Sequence, residues 1–446
     1  MEKFECLLGE TYQFDVEVAF TPNIFHLGTL KMSHKDITIQ FSCEYARDNN
    51  EENFHWKYEE IFCQSKDLYF KLFNLEMINA DNGIFHNCSY NRMYYRATYS
   101  VQYMICSESP LSVNDILIGF SIYSKDINRW IGDTRKQEAI LNYYVSPDSN
   151  TVDLSEFSTE LSSDCLIKCD YTTTIYHNSP GYMGGISYPP RIIISYLKQV
   201  NFKRIINDLY YLLDVFSFLI GENILIRDAR LTLYGFHRNI VKTYIYFCHN
   251  QEKSIKNKKH VVFFPLGTDL RFRMDDVPEF PIETFKSFFS LNDYKRRLIK
   301  QLLKARTMAI GEDKYLSIFR VAEKLSFRKG HNVTENMMRA YEYIKDFFPD
   351  NFLNDHIEKM VKLRNDISHA NEYSVDERTL QLYIGAVDVL ATFLIMKKLL
   401  IINEQIIVKV LPRHRELQSM VVPKIYYSDN RQKEKESKSV DSLKNI

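Results

Sequence analysis

Two periods divide the chain. In the first half the apolar positions recur at every second residue: Ile37, Ile39 and Phe41 alternate with Thr38 and Gln40, and Ala97, Tyr99, Val101 and Tyr103 alternate with Thr98, Ser100 and Gln102. A period of two belongs to strands with one face buried. Ile116–Tyr123 and Ile192–Tyr196 are more continuous apolar runs, set apart by polar, turn-rich stretches such as Glu44–Asn53 and Ser146–Asn150. A twisted sheet or sandwich is expected there. From Phe202 to Ile220 the spacing turns helical, and Gly221 supplies a stop before strand candidates at Ile224–Ile226, Arg230–Tyr234 and His260–Phe264. Beyond residue 281 the pattern is nearly all helical, over Phe285–Ile310, Lys314–Phe327, Glu335–Phe348, Asp355–Ala370 and Asp376–Ile402.

The expected fold is therefore α+β. A β-rich N-terminal module over 1–280, with one helix near 202–220, precedes a helical bundle over 281–412. The remainder, 413–446, is a charged tail, and Lys, Glu and Ser dominate it from Arg431 onward, the composition of a disordered segment.

Composition narrows the function classes. Apolar residues make up 45% of the 446, with Gly 14 and Pro 12, which excludes collagen-like and wholly disordered chains. Basic and acidic residues both count 57, so no global field draws the chain to nucleic acid or membrane. The charge is unevenly shared: residues 281–420 hold 23 basic and 18 acidic side chains, so the helical half is where a polyanion would go. Lys295, Arg296, Lys300 and Lys304 on one helix are the candidate RNA contacts; a solvated helix face is the other reading. The apolar stretch Ile384–Ile402 carries Asp388, Lys397 and Lys398, which suits a buried core helix better than a bilayer span. The start lacks the basic region and apolar run of a signal peptide, and eight cysteines lie scattered without a disulfide framework, so a reducing cytoplasm is expected. Cys165 and Cys169 with His177 lack a second ligand pair, so buried thiols are expected and no metal or other cofactor. Gly181–Gly185 lacks the Lys-Ser/Thr of a phosphate loop and reads as a turn.

The informative segment runs from Asn354 to Ala370. Ile357, Met360, Val361 and Ile367 define a buried stripe, and Asp355 with Glu358 has the spacing of a capping box. Arg364 falls inside that stripe, where a guanidinium is costly to desolvate without an acidic partner. Glu323 is the candidate partner, placed on the apolar face of its own helix by the spacing Leu316, Phe319, Glu323. An ordinary structural ion pair is one reading of the two. His369 shares a helical face with Asn365, four residues before it, but lies about 140° from Arg364 on a regular helix. Either the helix is irregular there, or a site is assembled across two chains.

Arg364-Asn365-Asp366-Ile367-Ser368-His369, at the end of one bundle helix and before a long apolar helix, resembles the R-x4-6-H signature of HEPN ribonuclease domains. Ala322-Glu323-Lys324-Leu325 is similar to the Glu-bearing helix of the larger members, and the whole arrangement resembles the ApeA group of anti-phage abortive-infection proteins. The segment Phe20–Leu30 and the strand after it are similar to that group's N-terminal module. The resemblance implies a homodimeric, metal-independent endoribonuclease acting on structured RNA such as tRNA, with a phage-derived trigger at the N-terminal module. Arg364 would hold the phosphate, His369 would exchange the proton, Asn365 would orient one of them and Glu323 would hold Arg364. The reading from a different class is a non-catalytic HEPN-like scaffold in which Arg364 and Glu323 form only a structural pair.

Overall fold

The alternating segments at the N-terminus form six antiparallel strands: β1 (Tyr12–Thr21), β2 (Ile24–Met32), β3 (Ile37–Tyr45), β4 (Lys57–Ser65), β5 (Leu68–Asn87) and β6 (Tyr90–Ser107). A computed structural model describes residues 4–419 apart from 22–23, 46–54, 88–89, 112–115, 146–152, 179–182, 235–241, 249–260, 271–276 and 349–351. The tail expected from Arg431 lies outside the described residues. The six strands run in the order β3-β2-β1-β4-β5-β6, and β6 pairs back onto β3 from Ser100↔Thr38 to Met93↔Tyr45, which closes a barrel. Its interior is the alternating set seen in the sequence: Ile37, Ile39, Phe41, Ala97, Tyr99 and Val101 are all buried.

After the barrel come β7 (Leu117–Tyr123), α1 (Lys125–Ile131), α2 (Arg135–Val145), β8 (Ser155–Ser162), β9 (Cys165–Tyr171), β10 (Thr174–Asn178), β11 (Met183–Ser187) and β12 (Pro190–Val200). A central helix α3 (Phe202–Ile220) follows, then β13 (Asp228–Leu233) and β14 (Thr243–Phe247). Strand β6 is long enough to serve two sheets. Beyond Ser100 its edge turns from β3 to β14, and a second antiparallel sheet extends as β14-β13-β7-β12-β9-β8. Of the stretch expected as a turn, Met183–Gly185 lie in β11 of the separate β10–β11 pair, and Gly181 and Tyr182 lie outside the described residues.

Helix α3 has the limits its residues dictate. The Asn201 side chain accepts from the Arg204 amide at 2.9 Å, and Gly221 at φ +89° takes the left-handed conformation that ends the helix. Its second half, Leu212–Ile220, is buried nearly all round apart from Asp214, while Lys203 and Asn207 in its first half are exposed. The helix packs on β7 and, on its other flanks, on helices from both halves of the chain. Two strand candidates are not strands because they serve this helix instead. Ile224 and Ile226 are buried outside the sheet, with the Ile224 amide donating to Ser217 Oγ at 3.3 Å. Phe263 and Phe264 donate their amides to the Ile220 and Leu219 carbonyls at 3.2 and 2.7 Å, satisfying the open end of α3. His260 lies outside the described residues.

The C-terminal helices are α4 (Thr284–Phe289), α5 (Asp293–Thr307), α6 (Glu312–Ser326), α7 (Val333–Tyr341), α8 (Phe352–Ser368), α9 (Glu377–Leu394) and α10 (Glu404–Val410). The helix expected over 285–310 is two, because Asn292 caps the Lys295 amide at 3.0 Å and starts a new one. The next departure is at Tyr341, where α7 ends before a single tight turn over Lys345–Phe347. Helix α9 and the π-turn after it (Ile395–Leu399) make the one stretch among the described residues long and apolar enough to cross a membrane, and 83% of its most apolar part is buried inside the protein. An aromatic cluster ties the halves together: Phe280 and Phe285 pack edge-on to Trp130 at 5.5 and 6.2 Å, and Trp130 Nε1 donates to the Phe264 carbonyl at 2.7 Å. The core is continuous across residue 281.

Asp388, the acidic interruption in α9, is buried against a guanidinium. Arg306 Nε donates to both its oxygens at 3.1 Å, and Nη2 to Oδ1 at 2.8 Å; Thr392 and His414 complete the cluster. Burial alone would push the Asp388 carboxyl up, but Arg306 and His414 hold it well below the usual carboxylate range. Asp388→Asn leaves Arg306 buried without its counter-charge, and urea unfolding should show a loss of about 3–5 kcal/mol. The paired Arg306→Met, Asp388→Leu variant should recover most of it. Because the folded pKa is depressed, this contribution is present above the unfolded value of about 3.9. It disappears only as pH falls below the carboxylate range.

Candidate active site

Helix α8 presents the segment singled out in the sequence. Ile357, Met360, Val361 and Leu363 are buried on its inner face, while Ile367 near the end is only half-buried. The helix begins at Phe352, three residues ahead of Asp355, so Asp355 is not its cap; its side chain lies outside the described residues. On α6, Tyr315, Ile318, Phe319 and Ala322 pack inward, and the Tyr315 hydroxyl donates to the Met360 carbonyl at 2.6 Å. That bond fixes where α6 crosses α8. Burial pushes the Tyr315 phenol well above its ordinary range, so it stays a donor at every working pH.

The crossing brings Glu323 and Arg364 together. Arg364 Nη2 donates to both Glu323 carboxylate oxygens, at 3.0 and 2.9 Å, and Nη1 donates to Asn365 Oδ1 at 2.9 Å. Both side chains of the ion pair are mostly shielded, with 25% of Arg364 and 21% of Glu323 exposed. Coulomb attraction is therefore stronger than for a surface pair, yet a route to solvent remains. These bonds start from Nη1 and Nη2; the Nε–H can serve an anion arriving from solvent.

His369 stands apart from this pair. The helix is regular up to it, since its amide donates to the Asn365 carbonyl at 3.0 Å, so no local irregularity carries the imidazole round to Arg364. Its side chain is exposed, as is that of Asn365 one turn earlier on the same face. The helix then closes with paired reverse bonds, Asn371 N–H to Asp366 C=O at 2.9 Å and Ala370 N–H to Ile367 C=O at 3.3 Å. Ala370 takes φ +53°, the left-handed conformation that glycine normally supplies. His369 thus sits at the helix cap, beside a residue held in a costly conformation.

The other sequence candidates separate. Lys295, Lys300 and Lys304 are exposed on α5, with Lys300 and Lys304 one turn apart and Lys295 about 140° round the helix from Lys300. Arg296 is turned inward: its guanidinium lies 3.9 Å from the Tyr211 ring centroid and Nη2 donates to the Phe289 carbonyl, so it joins α5 to α3 and α4 and presents no phosphate contact. Cys165 and Cys169 are buried on the inner face of β9, and burial pushes the Cys165 thiol up to about 12. An extended strand holds residues four apart about 13 Å from each other, too far to share one metal ion. The side chain of His177 lies outside the described residues. Sequence reasoning missed the Tyr315 hydroxyl and the Arg306–Asp388 cluster. The second carried the same signal as Arg364, charges at inward helical positions.

No protein-family model, no curated protein and no solved structure matches the chain.

Replacing Ala370 by glycine removes the left-handed penalty and should raise stability by about 0.5–1 kcal/mol, net of the extra unfolded-state freedom. The β-branched Ala370→Val should lower it. Thermal unfolding of the two variants beside the parent reads the difference; equal melting temperatures would refute a strained cap.

Proposed function

We propose that the α6–α8 pair is the phosphate-holding half of a metal-independent RNA-cleaving site, in which Arg364 binds the scissile phosphate and His369 moves the proton. The observation that carries this reading is the arrangement of Arg364: a guanidinium oriented by Glu323 and Asn365, part-shielded, with donors left over. Such a group suits the extra negative charge on a pentacoordinate phosphate, because its orientation is set before the substrate arrives. A ribose 2′-hydroxyl then attacks the adjacent phosphorus in line, and the 5′-oxygen of the next nucleotide leaves. The products are a 2′,3′-cyclic phosphate and a 5′-hydroxyl end. An imidazole exchanges protons near neutral pH, which is what both ends of that displacement need.

The regular helix directs the imidazole and the guanidinium of one chain to different faces. The complete site in this reading is therefore composite: two copies of the bundle meet so that Arg364 of one faces His369 of the other. This is the homodimer expected of a HEPN domain, and the half-buried Ile367 beside the exposed His369 and Asn365 supports placing the contact there. Lys300 and Lys304 on α5 are the remaining candidates for steering RNA by charge. The β-rich module is the part available to restrain or trigger such a nuclease, in keeping with a cytoplasmic defence role against phage.

A specific feature favours the second reading, a non-catalytic scaffold: Arg364 already has a full carboxylate partner, as a purely structural pair would. The two part on mutation. Purified protein given total RNA should yield 5′-hydroxyl ends in the presence of a metal chelator, and His369→Ala and Arg364→Ala should each lower that yield at least ~100-fold, within the range removal of such groups costs. His369→Ala should melt with the parent, since its side chain is exposed. Undiminished cleavage by either variant would support the scaffold.

A further inference from the structure

Where the barrel meets the helices there is a cleft of about 500 Å³, of whose lining the RNA-cleaving reading uses Lys300 alone, for steering. Its walls come from four elements: Asn74 of β5, Gln102 of β6, Lys203, Asn207 and Tyr210 of α3, and Lys300 of α5. Among the residues lining it the charged ones are two lysines. Neither makes an ion pair within 4.0 Å among the described residues, so both ammonium groups are available to a ligand. Asp214 of α3 acts on Lys300 through space, and burial pushes its carboxyl up to about 6, which weakens it as a counter-ion.

The rest of the lining is uncharged: Ile206 and the rings of Tyr103 and Tyr210 are its apolar part. Three carboxamides, Asn74, Gln102 and Asn207, offer donors and acceptors together, the pattern that reads a sugar or a heteroaromatic edge. Asn74 is held at φ +51° within β5, with its amide donating to Gln102 Oε1 at 2.5 Å and to the Tyr103 hydroxyl at 3.1 Å. A left-handed residue within a strand is a local cost, and such costs gather at binding sites. The adjoining cavity differs: Glu59 and Glu60 line it, and its Lys71 is paired with Glu60 at 2.9 Å. Lys203 borders both cavities, and Lys300 lines only the first. The volume of the first cleft lies in the range of small-ligand pockets and far exceeds a bare phosphate.

We propose that this cleft binds a free nucleotide, with Lys203 and Lys300 on its phosphates and the carboxamides of Asn74, Gln102 and Asn207 on its sugar and base. Such a ligand bridges α3, which is fixed to the sheet, and α5, which carries the Arg306 anchor of the bundle. It would couple the β-rich module to the helices. The site is separate from the α6–α8 pair and holds whether or not that pair cleaves RNA.

Calorimetric titration of the full chain with ATP, GTP and inorganic pyrophosphate tests it. At least one nucleotide should bind with a dissociation constant below about 100 µM, and Lys203→Ala with Lys300→Ala should weaken it at least tenfold. Lys295→Ala, on another face of α5, should leave it unchanged. Both lysines are exposed, so the double variant should keep the parent's melting temperature. No saturable binding of ATP or GTP by about 5 mM, binding indifferent to the double substitution, or pyrophosphate binding as tightly as the nucleotides would each overturn the proposal.

Discussion

A guanidinium on the inward face of a helix must find partners there or leave the core, and at two crossings of the C-terminal helices the partner is a carboxylate. Arg364 of α8 meets Glu323 of α6, and Arg306 of α5 meets Asp388 of α9. The two pairs differ in burial, and the difference sorts their uses. Asp388 is enclosed and its cluster has closed on itself through Thr392 and His414, so nothing from solvent reaches it. The Glu323–Arg364 pair stays a quarter open. Of the two pairs, it is the one whose oriented positive charge is open to solvent.

The rest of the molecule supports that crossing. Strand β6 passes from the barrel into the second sheet, α3 lies on that sheet, and the aromatic cluster round Trp130 carries the core into α4. The segment after α10 returns to the stretch that closes the end of α3, with Arg413 Nε donating to the Val262 carbonyl at 3.1 Å. A core continuous in this way makes the β-rich module and the bundle one mechanical unit. A ligand at their seam would act on both, as the cleft between Lys203 and Lys300 allows.

Local signals in the residues were legible and distant ones were not. The limits of α3 follow from an asparagine cap and a glycine stop, both readable within one turn, and the inward set of β3 and β6 follows from strict alternation. Closure of the barrel was not readable, because the β3–β6 pairing joins residues such as Thr38 and Ser100 across a long intervening chain. Apolar content misled where a segment serves a helix rather than a sheet. Ile224–Ile226 and Phe263–Phe264 look like strands but are buried beside or against the end of α3. Of the candidate site, the Glu323–Arg364 pairing was readable from two charges at inward positions. The same logic applied to Arg306 and Asp388, yet Asp388 was weighed only as an interruption of hydropathy. Arg296 looked like a member of a basic stripe because spacing does not reveal the Tyr211 ring that it covers.

The composite site is the central claim, and mixing two inactive chains tests it most directly. Arg364→Ala and His369→Ala chains, each purified and then allowed to exchange subunits, should together regain RNA cleavage, since a mixed pair keeps one intact Arg364 facing one intact His369. A mixture as silent as either chain alone, beside an active parent protein, would contradict the account.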